Sequence, residues 1–172
     1  MLPRALLPFL LTLAALGMAP GAAHLLEMPV KLGYAPGLYA AVTSTLYRWF
    51  GLAGGGVQIL TALTAVFLAW RLRRTPRARL AGVAAGAFVV SLVLWGGLVA
   101  PVNAFWEQVP GGDPVAFAAA YVGLRARWEY GHLAAFGAWL AGWFAVLGLV
   151  RECPVPGEGG VVQASARFHT SI

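Results

Sequence analysis

Charge is what this chain has least of. Only 10% of its 172 residues are Asp, Glu, Lys or Arg, against about a quarter in an ordinary soluble domain. Too few charges remain to cover a water-facing surface, so a soluble globular class is excluded. Cysteine is almost missing too. The lone Cys153 excludes an intramolecular disulfide and any cysteine-built metal site. There is no repeat of fixed period, and no Walker-type or Rossmann glycine motif, which removes the common nucleotide-binding signatures. What is abundant is apolar. Hydrophobic residues make up 60% of the chain, mean hydropathy is +0.75, and several apolar runs reach about 20 residues, the length of a membrane-crossing helix. The predicted fold is all-α: a four-transmembrane-helix bundle with a short interfacial helix after the first span. Residues 1–150 form one membrane domain, and the polar residues 151–172, with His169, read as a disordered cytoplasmic tail. The 22 glycines fall mostly in or beside apolar runs, where small residues let helices approach closely.

The net charge of +6 and pI of about 10.3 would point to nucleic acid in a soluble protein. Here the basic residues flank apolar segments and read as topology determinants, with no nucleic-acid partner. Residues 71–79 (RLRRTPRAR) hold five arginines. Short loops so rich in arginine stay on the cytoplasmic side of the cell membrane. Four spans then place both termini on that side, although Lys31, Arg48, Arg125 and Arg127 weigh the other way.

The spans are expected at about 5–27, 52–70, 80–100 and 130–150. Pro20 predicts a kink in the first. The alternative there is a cleaved signal peptide, with a basic start, an apolar stretch and small residues at Ala19–Ala23. In residues 28–51 the spacing of Leu38, Val42, Leu46 and Trp49 predicts an amphipathic helix at the interface, with Tyr39, Tyr47, Trp49 and Phe50 as belt aromatics. Gln58 in the second span is expected to bond across the bundle or to nearby backbone. Ser91 and Trp95 are the polar-tipped members of the third. Asp113 before Pro114 is a helix start. A helix from there to Val150 would be about 55 Å long, more than a hydrocarbon core of about 30 Å. It must therefore project from the membrane or bend near Gly123 or Gly131.

Two acidic–imidazole pairs stand out. His24 and Glu27 end the first span, and Glu129 and His132 open the last in the reverse order. Residues three apart share a helix face. In an up-down-up-down bundle the two pairs fall at one end and one depth, together with Asn103, Trp106 and Glu107. The face through Glu129 and His132 continues as Phe136, Trp139 and Trp143. Ionisable residues near membrane depth usually face a bundle interior or a cavity.

Three readings follow. His24, Glu27, Glu129 and His132 could be the N and O ligands of one transition-metal ion; a bis-histidine haem b on His24 and His132 fits less well beside two carboxylates. Alternatively Glu129 or His132 is an acid–base catalyst on a lipophilic small molecule, with Asn103 orienting substrate or oxyanion and Trp106, Trp128 and Trp139 lining its site. In the third reading the glutamates pair with Arg125, Arg127 or Lys31, and the cluster is a structural network in a non-catalytic accessory subunit or assembly factor. The partners implied are the lipid bilayer, the lipophilic small molecule, and a homo-oligomer or larger membrane complex.

His24-Leu-Leu-Glu27-Met-Pro29-Val-Lys31, Pro101-Val-Asn103 with Trp106, and Leu124-Arg-Ala-Arg127-Trp128-Glu129-Tyr-Gly-His132 resemble small bacterial four-helix membrane proteins near the anthrone oxygenase-like family. The resemblance covers roughly residues 21–150. It implies an oxidoreductase or oxygenase acting with dioxygen on a polycyclic phenolic substrate, with Asn103, Trp128 and His132 in the motif positions. The chain departs from that pattern at Leu133–Phe136, apolar throughout where an arginine would follow the last motif.

Overall fold

A computed structural model describes residues 5–108 and 114–151. The tail after Arg151 and the cap at Asp113 lie outside the described residues. Among the described residues every regular element is a helix. Helix α1 covers Leu6–Lys31 and α2 covers Pro36–Thr45. A π-helical stretch, Phe50–Gly54, leads into α3 (Gly55–Leu72). Helix α4 (Ala78–Leu94) passes through a second π-helical stretch, Trp95–Val99, into α5 (Ala100–Gln108). Helix α6 runs unbroken over Pro114–Arg151.

Four stretches are long and apolar enough to cross a membrane: Leu6–Lys31, Phe50–Leu72, Ala78–Trp106 and Ala118–Arg151. The protein is thus a four-helix membrane bundle. In the predicted order the spans pack in a ring, α1 against α3 and α6, and α4 against α3 and α6. The first and third spans are longer than expected. Pro29 lies inside α1 rather than ending it, and α5 carries the third span on through Asn103 and Trp106. Helix α6 runs through Gly123 and Gly131 as one helix of about 57 Å at 1.5 Å per residue, so its first turns extend past a hydrocarbon core of about 30 Å.

Two cores stack along the bundle. One, near the arginine turn, joins Leu10, Leu72, Ala81 and Leu149, with Phe88 and Trp139 at its other end. That shared core puts the start of α1 and the end of α6 beside the turn at residues 73–77. The second core, at the opposite end, joins Tyr39, Val102, Trp106, Tyr121 and Trp128. Outward faces carry Leu63, Val93 and Phe144, all well exposed, as a lipid-facing surface requires.

Helix α2 keeps the amphipathic reading for its apolar stripe and corrects it for Tyr39 and Tyr47, which are buried and not belt aromatics. Its buried face is Tyr39, Ala40 and Thr43, continued by Tyr47, whereas Leu38, Leu46 and Trp49 are 53%, 59% and 72% exposed. The apolar stripe points outward, because lipid and not a core is its solvent. The polar-tipped tyrosines turn in.

Lipid does not drive helices together as water does, so close packing has to hold the seams. At Gly142 a Cβ would lie 2.7 Å from the Phe88 ring of α4, and at Gly21 2.6 Å from Phe136 of α6. Gly142→Leu is therefore expected to cost about 1–3 kcal/mol by overpacking, read as a lower unfolding temperature in detergent. The same replacement at lipid-facing Gly82, where a Cβ meets nothing within 4 Å, should leave that temperature unchanged.

Candidate functional site

The end of α1, all of α2, α5 and the first membrane turns of α6 meet at the end of the bundle away from the arginine turn. The indole of Trp128, 1% exposed, is at their centre. His132 follows it one turn later on α6, with ring centroids 4.2 Å apart, and His24 of α1 meets it edge-on at 4.9 Å. The His24 and His132 rings meet at 4.0 Å. Two imidazoles 108 residues apart in the chain are thus in contact, because antiparallel α1 and α6 carry them at one height.

Lys31, the chain's single lysine, reaches into the same centre. Lys31 and Glu129 are each 2% exposed, and Lys31 Nζ lies 3.5 Å from Glu129 Oε1. That separation is longer than a hydrogen bond. The ammonium also sits over the Trp128 ring at 4.4 Å and the Tyr47 ring at 4.8 Å, so two π faces add to the compensation of its charge. Tyr39 Oη donates to the same Oε1 at 2.8 Å. Tyr47 Oη donates to Glu27 Oε2. Burial first, then the neighbouring Glu129, pushes the Tyr39 hydroxyl far above its ordinary 10.0, and burial raises Tyr47 as well. Both phenols therefore remain donors across the physiological range.

The arginines of the motif do something different. Arg125 Nη1 donates to Leu32 O at 3.1 Å and Arg127 Nη2 to Gly97 O at 2.6 Å. Pro101, four residues after Gly97, has no N–H to offer that carbonyl. Arg127 supplies the donor instead and ties α6 to the π-helical stretch of the third span. Of the three cations expected to meet the glutamates, only Lys31 takes that role.

Trp128 also fixes two side chains by direct hydrogen bonds. Its Nε1 donates to Asn103 Oδ1 at 2.7 Å. Since an indole only donates, the amide oxygen is the end that turns to it, and the Asn103 NH₂ group is left to face elsewhere. The Trp128 carbonyl lies 2.9 Å from His132 Nδ1. A carbonyl only accepts, so Nδ1 carries the proton and His132 Nε2 is left as the acceptor end of the neutral ring. His24 Nδ1 is buried without a hydrogen-bond partner.

Beneath this cluster, between the two cores, lies a cavity of about 480 Å³. His24, His132, Asn103, Trp106, Trp128 and Trp139 all line it, whereas Lys31, Glu129, Glu27 and Tyr39 do not. The residues brought together by the sequence reading thus divide in two. One group, Lys31–Glu129–Tyr39, is a closed polar network, while the neighbouring Glu27 is bonded to Tyr47, whose side chain also lines the cavity. The other, Asn103–Trp128–His132 with His24, looks onto open space. Trp139 is held at the far end of that space by its Nε1 donating to Ala14 O at 2.8 Å, and Gln58 bonds across the bundle to Gly17 O at 2.8 Å. The side chain of Glu107 lies outside the described residues.

The four-ligand metal set is not assembled. Among the described residues no three His, Cys, Asp or Glu side chains are grouped so as to hold a metal ion. The physical reason is that each carboxylate is already taken by a tyrosine, and an ammonium stands beside Glu129 where a cation would have to sit. A haem between His24 and His132 has no room either, since the two rings are in contact. Tyr39 and Tyr47 were missed as members of the site. Their signal was present: residues 39, 43 and 47 recur every four positions and are the polar-tipped line of that segment.

The chain matches no protein-family profile, no curated protein and no solved structure.

Removing one partner of a buried ion pair leaves the other charge uncompensated, at a cost of about 3–5 kcal/mol. Lys31→Met and Glu129→Gln are each expected to lose stability on that scale, measured by denaturant titration in mixed micelles. The double variant should lose much less than the two losses added together. Strictly additive losses would show that the pair is not coupled.

Proposed function

We propose that this protein binds a lipophilic small molecule from the bilayer in the cavity beside Trp128 and carries out proton transfer on it, as the first step of an oxygenase-type oxidation. The observation that carries this reading is the paired presentation by Trp128. One tryptophan holds Asn103 by its amide oxygen and His132 by Nδ1, and both of these side chains line the same cavity, with Asn103 Nδ2 and His132 Nε2 in no hydrogen bond among the described residues. A base and an anion-holding donor on one wall are what abstraction of a proton from a phenol or an activated carbon acid needs. Aromatic walls from Trp106, Trp128, Phe136 and Trp139 suit a flat ring system, and the volume is within the range of small-molecule pockets. The anthrone oxygenase-like resemblance points the same way, since an electron-rich anion is the form of a polycyclic phenol that reacts with dioxygen. His132 is the base in this reading. Glu129, closed off by Lys31 and Tyr39, acts by positioning α6. The arginine-rich turn supports a reading with both termini in the cytoplasm and the cavity toward the outer side of the cell membrane.

A structural reading is favoured for part of the cluster by one observation: the Lys31–Glu129–Tyr39 network does not border the cavity. That network holds the bundle together, whatever the cavity does.

The test is dioxygen uptake with a three-ring phenolic substrate by the purified protein. His132→Ala should lower kcat by about 10²–10⁴-fold, and Asn103→Leu should lower it less, while binding followed by tryptophan fluorescence persists. Equal rates in the wild type and His132→Ala would remove the catalytic reading.

A further inference from the structure

The cavity is a slot, not a sphere. Along α6 its wall runs from Trp128 to Trp139, and along α1 from His24 to Gly17. At 1.5 Å per residue those stretches are about 16 Å and about 10 Å long, parallel to the bundle axis. Its two ends differ in chemistry. The end toward the bundle centre has Gly17, Gly21, Phe136 and Trp139. Three donors there are committed: Gln58 Nε2 donates to Gly17 O, Ser91 Oγ to Ala135 O, and Trp139 Nε1 to Ala14 O. The opposite end has Asn103, His24, His132, Tyr47 and Arg48.

Arg48 is the one cation on the wall, and among the described residues it has neither a hydrogen bond nor an ion pair. No acidic side chain lines the slot. The adjoining wall, Phe50, Gly51 and Leu52, belongs to the π-helical stretch before α3 and is exposed on the lipid side. Helices wind into π geometry mostly as short insertions, frequently at functional sites.

We propose that the slot takes an amphiphilic acid with a single apolar body, a long chain or a fused-ring system. Its ionised oxygen head rests at Arg48 and the Asn103 amide, and its body runs down past Phe136 to Trp139. A guanidinium with no carboxylate near it is matched by a carboxylate or phenolate, which it can hold through two N–H groups. An axial slot with a dry inner end accepts a body already aligned with the lipid chains. This inference rests on the cavity's being the ligand site, and adds the charge and shape of what enters.

The probe is palmitic acid carrying a diazirine near its methyl end, and its methyl ester, with the full chain in nanodiscs of neutral phosphatidylcholine. After photolysis the labelled peptides are mapped by mass spectrometry. The acid is expected to label residues 135–139 of α6 and 17–21 of α1. Arg48→Gln, an exposed change with no contact to lose, should reduce that labelling at least fivefold for the acid and leave the weaker ester labelling unchanged. Equal labelling by the acid in both proteins would overturn the head-group assignment while leaving the cavity as a ligand site. Labelling of those peptides by neither probe would overturn both. Competition by phosphatidylglycerol doped into the disc would contradict a single apolar body, because that lipid carries two chains.

Discussion

A buried ammonium needs compensation, and the outer end of this bundle is organised around supplying it. Lys31 stands at the end of α1 and is 2% exposed. Glu129 of α6 provides the opposite charge, and the faces of Trp128 and Tyr47 cover the rest. Glu129 in turn is held by Tyr39 of α2. Three elements, two adjacent in sequence and α6 far from both, are fastened through one charge. An ion pair of this kind contributes little net stability over an apolar replacement, yet is costly to break on one side. Its consequence is specificity of arrangement: α1, α2 and α6 cannot slide past one another without stranding a charge.

That fastening sets the position of Trp128, and Trp128 sets the cavity wall. The indole lies under the ammonium, and its Nε1 and its backbone carbonyl each hold a further side chain. The first takes the oxygen of Asn103, the second the Nδ1 proton of His132. Both side chains are thereby held with one committed end and one free end. The closed network and the open wall are the two sides of one residue. Packing below is equally asymmetric: ring against glycine closes the seams at Phe88–Gly142 and Phe136–Gly21, while the space between the two cores stays unfilled.

Much of the architecture was legible in the sequence, because length and apolarity alone decide which segments can cross a bilayer. The contact of His24 with His132 was legible too, since reversed spacing in antiparallel helices dictates it. The inner face of α2 was not. Leu38, Leu46 and Trp49 point outward as an interfacial stripe should, but Tyr39 and Tyr47, read as belt aromatics, turn in. The glutamates were left with three readings, as metal ligands, as a base, or as partners of Arg125, Arg127 or Lys31. What a linear pattern cannot display is which neighbour reaches a carboxylate first, and here two tyrosines and a lysine do. Arg127 shows the same limit, since its partner, the Gly97 carbonyl, is a backbone atom left without a donor by Pro101.

Because Lys31 is the only lysine in the chain, its burial can be measured without ambiguity. The folded protein is treated with an amine-reactive ester small enough to cross the bilayer, and the fraction of Lys31-containing peptide modified is followed by mass spectrometry beside that of the N-terminal amine. The structure requires Lys31 to remain unmodified in the folded protein and to react only after unfolding. Prompt modification of Lys31 in the folded protein would contradict the buried pair, and with it the positioning of Trp128, His132 and Asn103 that depends on it.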